Sequence, residues 1–439
     1  MLKTLVGAFK NKDIRKKILY TLMILVIVRV GSLLPIPGVD TEYFSSLLSG
    51  INTGDLSYLS AFTGGSFERM SLFALSITPY ITSSIIMQLL AIAIPKLEEM
   101  QKEGEDGRKK IAAITRYVTI ALALIESIAM AVGFGRSGLI KGYQGFSTLH
   151  YIVSIIVVVA ALTAGSAMLM WLGERITENG VGNGISIVLL INIISGMPSD
   201  FATLYSTFVA PRTIAKGVLA AAIIIAILVV MVVLVCFLQD GERRIPVQYS
   251  QKVSGRKTFG GQSTNIPLKV NTAGVMPVIF ASSLMQFPVI IAQLFGKSYE
   301  WTRYLSSSYW CRISAPKYSI GLILYIVLLI IFAYFYTSIT FNPIEVADNL
   351  KKAGGVIPGI TPGKSTSDYL NNILNYIVFV GAVGLLIIAL IPIMCTGFFN
   401  ASVSFGGTSI IIIVGVVLET LKQIESQMLV RHYKGFISE

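Results

Sequence analysis

The sequence predicts an all-α polytopic membrane protein with ten transmembrane helices in two inverted-repeat halves of five. Three observations predict this fold class. Hydrophobic residues make up 54% of the 439 residues and charged residues only 13%, whereas a typical soluble domain carries about 25% charged residues. Apolar stretches of about 20 residues, the length that crosses a bilayer, recur along the whole chain. Two similar ten-residue stretches also stand 198 residues apart, near half of the chain length.

The apolar stretches define ten predicted spans and two halves. Backbone N–H and C=O groups inside a bilayer have no water to bond, so each stretch is expected to be helical. The first half covers residues 18–209 and the second half residues 213–421, between a basic segment at 1–17 and a tail at 422–439. The predicted spans are, in chain order, 18–35, 70–94, 112–133, 148–171, 184–209, 213–238, 272–295, 318–341, 370–393 and 405–421.

The distribution of lysine and arginine predicts that both termini lie inside, on the cytoplasmic face. With that orientation, 25 of the 35 basic residues fall in inside segments, as the positive-inside rule requires. The first apolar run ends in Leu34-Pro35-Ile36-Pro37 without a cleavage site of small residues, so we expect it to remain in the protein. The net charge of +12 follows from this bias alone, or it reflects inside loops that meet an acidic partner such as ribosomal RNA. Composition leaves both interpretations open.

The two similar stretches place a proline and several polar residues in predicted spans two and seven. PYITSSIIMQ at 79–88 and PVIFASSLMQ at 277–286 share Pro79/Pro277, Ile81/Ile279, Ser84/Ser282, Met87/Met285 and Gln88/Gln286. Span two runs inward and span seven runs outward, so an axis in the membrane plane would relate the two halves. Proline and small hydroxyl residues are tolerated there when neighbours or water satisfy the freed backbone groups. We therefore expect both stretches to face each other or a cavity.

The outside loop 36–69 contains a short apolar piece, Leu56–Phe67, that is too short to cross a membrane. Gly64-Gly65 ends it, as glycines commonly end helices. An interfacial helix is slightly favoured here over a re-entrant segment, which is tolerated only where protein or water lines it.

Two inside loops are long enough to have structure of their own. Residues 239–270 alternate polar and apolar side chains on the approach to Ser254-Gly255, which predicts a β-hairpin with basic tips. Residues 342–369 predict a short helix that Gly354-Gly355 ends, followed by a loop stiffened by proline and glycine. Long loops on a membrane protein usually carry function.

Few residues in the sequence are arranged for catalysis or metal binding. The three cysteines and two histidines stand far apart, without the spacing of a zinc, redox or protease motif. We therefore expect no metal site, no cofactor and no obligatory disulfide. Gly363-Lys364-Ser365 resembles the end of a phosphate-binding loop, but Pro358 stands where the first glycine is required. The parts of an intramembrane enzyme are absent from the sequence.

The predicted spans contain few ionisable residues, among them Arg29 and Glu126. A transporter coupled to an ion usually keeps such residues near the middle of the membrane. The many aliphatic and small residues favour instead a passage that hydrophobic side chains seal. A secondary transporter of a small solute, built on an inverted repeat, is the alternative.

Seven motifs, spread in order over nearly the whole chain, closely resemble the SecY family (SecY/Sec61-alpha), the pore subunits of the Sec protein translocon. These motifs are RVGSLLPIPGVD (29–40), PYITSSIIMQLL (79–90), EGEDGRKKIAAITRY (103–117), MWLGERITENGVGNGISI (170–187), QSTNIPLKVNTAGVMPVIFASS (262–283), FNPIEVADNLKKAGGVIPGITPG (341–363) and FGGTSIIIIV (405–414).

The resemblance implies a protein-conducting channel in the bacterial plasma membrane, which moves unfolded preproteins outward and releases transmembrane helices laterally. It implies an hourglass with a lateral gate between spans two and three on one side and seven and eight on the other. The implied pore ring is Ile77, Ile81, Leu189, Ile279 and Ile412. The implied plug is 56–65, with Leu56, Tyr58, Leu59, Phe62, Gly64 and Gly65, and it replaces the preference for an interfacial helix. The implied gate residues are Ser84, Gln88, Thr115, Asn271, Ser282 and Gln286.

The resemblance also implies partners. These are SecE- and SecG-like small membrane subunits, the SecA motor ATPase, the ribosome, signal peptides, nascent chains and membrane lipids. In the proline-glycine loop this chain carries Thr361 where the family usually places an arginine. The implied contacts with the motor and the ribosome are the basic residues Arg243, Arg244, Lys252, Arg256, Lys257, Lys351 and Lys352.

Overall fold

The computed structural model describes ten stretches of the chain: 9–50, 63–135, 148–211, 214–249, 252–254, 257–259, 263–294, 300–311, 316–399 and 407–435. Most of these residues are helical. The helices are α1 Lys12–Leu33, α2 Thr41–Gly50, α3 Thr78–Ala93, α4 Pro95–Lys102, α5 Glu105–Phe134, α6 Thr148–Asn179, α7 Gly184–Leu204, α8 Ile214–Asp240, α9 Met276–Leu294, α10 Glu300–Leu305, α11 Ile320–Thr340, α12 Pro343–Lys352, α13 Lys364–Phe399 and α14 Gly407–Gly435. Short strands β1 Glu242–Tyr249, β2 Lys252–Ser254, β3 Lys257–Phe259, β4 Ser263–Lys269 and β5 Gly355–Val356 complete the secondary structure.

Among the described residues, six helices are long and apolar enough to cross a membrane: α5, α6, α7, α8, α11 and α13. They correspond to six of the ten predicted spans. The bent pair α3 and α4, with 106° between its members, raises the number to seven if it is one span. The other predicted spans coincide with α1, α9 and α14, which are shorter or have charged residues in or beside the apolar stretch. Several spans are therefore confirmed, and the full number of ten stays a prediction.

The second predicted span, 70–94, is only partly helical. Its helix α3 begins at Thr78 with Pro79 in the first turn, where a missing backbone N–H costs nothing because no carbonyl precedes it in the helix. Pro277 occupies the same second position in α9, and both prolines are buried. The two prolines thus start helices rather than break them, and both matched stretches lie at the beginning of a helix.

Residues 63–77, here called the strap, form turns between α2 and α3. The strap pairs with the segment that follows α1, since Leu72 N donates to Leu34 O at 2.9 Å. It packs closely against two helices, each of which has a glycine at the point of contact. A Cβ on Gly31 of α1 would lie 2.1 Å from the Phe73 ring, and one on Gly165 of α6 would lie 1.9 Å from Leu72 O. Glycine at these two positions allows the strap to lie against α1 and α6.

The predicted β-hairpin in the first inside loop is confirmed. Strand β1 pairs antiparallel with β4, from Glu242 opposite Lys269 to Gln248 opposite Ser263, and β2 pairs with β3. The short helix predicted in the second inside loop is α12, and Gly354 follows it with φ of 69°. Strand β5 of that loop pairs with the other edge of β1, so the two loops form one folded unit, here called the cap.

The largest cluster of buried apolar residues lies where the two halves meet. It combines buried residues of α1, α6 and α7 from the first half with buried residues of α8, α9, α11, α13 and α14 from the second, and partly buried residues of α3 pack against it. Helix α5 also packs against α9. A core shared in this way holds the two halves together around the cavity described next.

Candidate functional site

A cavity of about 670 Å³ lies between the halves, on the side of the cap. Its wall includes side chains of α3, α5, α6 and α7 from the first half and of α9, α11 and α14 from the second, with the turn at 271–275 between β4 and α9. The residues lining it that the sequence had singled out are Ile81, Ser84, Gln88, Leu189, Asn271 and Ile279. Two separate halves of the sequence thus build one concave site.

The charged residues lining the cavity balance one another. Three are basic and three acidic: Arg116, Lys269, Lys422, Glu174, Glu178 and Glu419. Arg116 Nε of α5 lies 2.7 Å from Glu174 Oε1 of α6, and Lys422 Nζ of α14 lies 2.7 Å from Asp240 Oδ1 of α8. Both pairs are partly exposed, where an ion pair contributes up to about 1 kcal/mol. A wall of balanced charge gives no strong preference for a ligand of one sign.

The five predicted ring residues all belong to the shared apolar core or pack against it, and three of them also line the cavity. Ile81, Leu189 and Ile279 line the cavity, and Ile77 and Ile412 are buried at 1% and 0% exposure. The five come from α3, α7, α9 and α14, with Ile77 as the residue that caps α3. Aliphatic side chains from both halves therefore form part of the cavity wall.

The six predicted gate residues separate into two groups. Ser84, Gln88 and Asn271 line the cavity, and Gln88 Oε1 and Asn271 Nδ2 are buried without a hydrogen-bond partner among the described residues. The other three are buried in the helices: Thr115, Ser282 and Gln286. Thr115 and Ser282 each donate to a carbonyl of their own helix, at 2.9 and 2.5 Å. Helices α5 and α9, which carry these buried residues, are in contact.

The polar residues of the stretch 79–88 have different partners. Thr82 Oγ1 donates to Thr78 O at 3.1 Å within α3. Ser83 Oγ lies 2.5 Å from Thr119 Oγ1 of α5, and both side chains are fully buried. Ser83 and Thr119 thus fasten α3 to α5, a role that the sequence analysis missed. The only sequence signal for it is a hydroxyl residue in each of two neighbouring spans.

The predicted plug lies mostly outside the described residues, which exclude Leu56, Tyr58, Leu59 and Phe62. Gly64 and Gly65 are described, with φ of 61° and 79°. Residues with a Cβ atom rarely adopt such positive φ angles. Gly64 lies against α7, where its Cβ would be 2.6 Å from Asn192 O. The end of the predicted plug therefore contacts the helix that carries Leu189.

The predicted docking residues that the structure describes lie in the cap. Arg243 and Arg244 are exposed on β1, and Arg244 Nη2 lies 2.6 Å from Glu242 Oε1. Lys252 and Lys257 lie in β2 and β3, and Lys351 and Lys352 are exposed in the last turn of α12. Arg256 lies outside the described residues.

Comparison with known proteins decides the family. The family model named SecY matches residues 71–421. The protein translocase subunit SecY of Streptomyces galbus is 44% identical over 446 residues, covering 100% of both chains. The chain belongs to the SecY family. The SecY subunit of Halalkalibacterium halodurans is 42% identical over 445 residues, again over 100% of both chains.

Solved structures of SecY and Sec61 channels share the fold of this SecY-family chain. A structure described as a protein-conducting channel superposes with a TM-score of 0.61 at 18% identity, covering 94% of this chain and 92% of the other. Sec61 from a canine ribosome–channel complex superposes with a TM-score of 0.58 at 17% identity, covering 94% and 92%. The family predicted from the seven motifs is therefore confirmed. Its named relatives are subunits of a translocase, which disfavours the transporter alternative.

Proposed function

We propose that this SecY-family protein forms the channel through which a translocase moves unfolded preproteins across the bacterial plasma membrane and releases transmembrane helices sideways. One observation supports this above all. A cavity built by both halves has walls of mixed polarity and balanced charge, and aliphatic side chains of the shared core form part of those walls. Such a site suits a ligand of variable sequence better than one small solute.

The aliphatic ring acts as the seal. An apolar constriction excludes ions because the narrow gap does not hold water. The same side chains, Ile77, Ile81, Leu189, Ile279 and Ile412, surround a passing polypeptide without hydrogen-bonding to any particular sequence. The plug at 56–65 adds a second barrier at rest, attached through Gly64 to α7.

The seam between α3 and α5 on one side and α9 and α11 on the other is the lateral gate. Ser84, Gln88 and Asn271 face the cavity there, and two of their polar atoms have no partner among the described residues. Polar contacts between membrane helices contribute about 1 kcal/mol or less. Thr115 and Ser282 each donate within their own helix, so an arriving apolar helix breaks neither bond, and the partnerless Gln88 Oε1 and Asn271 Nδ2 become satisfied by water or by the passing chain.

The remaining features of the proposal concern topology and partners. Ten helices cross the membrane, with both termini in the cytoplasm, and SecE- and SecG-like subunits accompany the channel. The cap docks the ribosome and the SecA motor through its exposed basic residues. Support for the ribosome comes from the canine Sec61 structure, which was solved in a ribosome–channel complex.

A photocrosslinking probe at Ile81 is expected to react with an arrested preprotein, because this side chain is the proposed ring residue of α3 that lines the cavity. The matched control is a probe at Val229 of α8, which is exposed on the outer surface of the bundle and should react with lipid or neighbouring subunits only. Crosslinks are read by gel after arrest of a secretory chain. Equal preprotein crosslinking at the two positions, or none at Ile81, contradicts the proposal.

Reversing the charge of Arg243 by Arg243→Glu is expected to weaken ribosome binding without unfolding the cap, because this side chain is exposed. A contact with nucleic-acid phosphate contributes about one unit to the slope of log K against log salt, and the variant should lose about that much. Lys216→Glu, an exposed change at the start of α8 on the predicted outside face, serves as the control. An unchanged salt dependence in Arg243→Glu argues against docking at this strand.

A further inference from the structure

We propose that Asn192 and Ser195, one turn apart on α7, are positioning residues that hold both ends of the strap (63–77) and so keep the resting channel sealed. This inference rests on the proposed function, because it concerns the strap's two neighbours, the plug and the pore ring. It adds a residue pair that neither the motifs nor the pore-ring assignment includes. Its basis is that one turn of α7 contacts the strap near its first and its last residue.

At the end of the strap, the side chain of Asn192 holds the residue before the ring residue Ile77. Asn192 Nδ2 donates to Ser76 Oγ at 3.1 Å, and the two side chains are 2% and 1% exposed. Asn192 follows Leu189, another ring residue, by three positions, so both lie on one face of α7. The hydrogen bond therefore links the helix that carries Leu189 to the backbone that carries Ile77.

At the start of the strap, Gly64 packs directly on the same turn of α7. A Cβ at this position would lie 2.5 Å from Ser195 Oγ and 2.6 Å from Asn192 O. Ser195 Oγ lies 2.9 Å from Asn192 O and 3.3 Å from Gly64 O, so its hydroxyl proton is shared between the two carbonyls. Close packing, supported by this weak hydrogen bond, fixes the strap where it joins the predicted plug.

The strap needs such contacts because parts of its backbone are unfavourable by themselves. Met70 and Ser76 have φ of 43° and 53°, values uncommon for residues other than glycine and maintained only by surrounding structure. When the contacts with α7 are lost, Ser76 relaxes toward ordinary backbone angles and Ile77 moves with it. Ile77 at one end of the strap and Gly64 at the other then lose their fixed positions together.

The first test compares two glycines with similar backbone angles and different surroundings. Gly64→Ala forces a methyl group into α7, whereas Gly38→Ala, at φ of 85° with open space around it, introduces comparable backbone strain without a clash. We expect ion leak through purified channels in proteoliposomes to rise several-fold for Gly64→Ala and to stay near wild type for Gly38→Ala. Equal leak in the two variants would overturn the proposal, since backbone strain alone would then explain it.

The second test separates holding the strap from simply stabilising the fold. Asn192→Leu leaves Ser76 Oγ without this donor, and Ser76→Ala leaves the Asn192 amide buried without an acceptor, so each should reduce the amount of assembled protein. In the double variant both partners are apolar, which is often nearly neutral for stability. We expect assembly to recover in the double variant, while leak per channel stays about fivefold above wild type. Leak that falls back as assembly recovers would refute the positioning role.

The same experiments distinguish failure of this inference from failure of the channel proposal. Each variant is also tested for preprotein crosslinking at Ile81, and Ile77→Asn is run beside it as a ring variant. Tight Asn192→Leu and Gly64→Ala channels, together with a leaky Ile77→Asn channel and a positive crosslink, overturn the positioning role of Asn192 and Ser195 and leave the channel proposal intact. Loss of the Ile81 crosslink in the wild-type protein overturns both.

Discussion

Asparagine at Ile77 or Ile279 is expected to make the resting channel leak ions and to let preproteins with defective signal sequences pass. Both side chains are nearly fully buried, at 1% and 5% exposure, in the shared apolar core. An amide buried without a partner there costs about 1 to 3 kcal/mol, and admitting water removes that cost. The equilibrium between the water-free and the water-filled constriction then shifts toward the water-filled state by about tenfold or more, and a water-filled constriction conducts ions.

The measurement is ion conductance of proteoliposomes, normalised to the amount of assembled channel, with export of a preprotein carrying a defective signal measured in parallel. Ile128→Asn on α5 is the matched control, because this side chain is 44% exposed on the outer face of the bundle. It places the same amide in a membrane helix but away from the cavity. If the ring variants conduct no more ions and export no more of the defective preprotein than the control, the assignment of Ile77 and Ile279 to the pore ring is wrong.

Much of the fold follows from patterns that local physics determines. Apolar stretches of membrane length predicted α5, α6, α7, α8, α11 and α13, because backbone N–H and C=O groups in lipid must hydrogen-bond within their own segment. Alternation of polar and apolar residues predicted the β1–β4 hairpin, since side chains of a strand point to opposite faces. In each case, the residues that carry the pattern are the same residues that form the helix or strand.

The start of the second span shows where such patterns fail. Hydropathy counts the apolar side chains of residues 70–77 as membrane helix, but the backbone there turns and lies against α1 and α6. What allows this is glycine at positions 31 and 165, far away in the sequence. Strand β5 was missed for a related reason, because two residues pair with β1 only after the cap has folded.

The candidate site was predicted by two routes of different strength. The matched stretches 79–88 and 277–286 pointed to a shared cavity from the residues alone, and Ile81, Ser84, Gln88 and Ile279 do line one. The individual ring residues came from the family resemblance, because an isoleucine in a pore and one in a core are identical in sequence. The bond between Asn192 and Ser76 spans 116 residues and could not be found without coordinates.

Alanine at Gly165 is expected to destabilise the protein by about 3 kcal/mol, in the upper range for an overpacked core. The new Cβ would lie 1.9 Å from the carbonyl oxygen of Leu72, and a backbone atom cannot rotate away as a side chain can. Either α6 moves outward or the strap moves with Leu72. Both movements weaken the contact between α6 and the strap, and with it the support for Ile77 at the end of the strap. The substitution should therefore lower the thermal midpoint in detergent and raise the ion leak of the channels that still assemble.

Gly196→Ala on α7 is the control, and its expected effect on stability has the opposite sign. This glycine also lies inside a helix, but a Cβ there meets nothing within 4 Å, so only the intrinsic preference of a helix for alanine remains, worth about 1 kcal/mol. It should leave the thermal midpoint unchanged or raise it, even though Ser195 is its neighbour. If both alanines behave alike, the close approach of the strap to α6 does not determine stability.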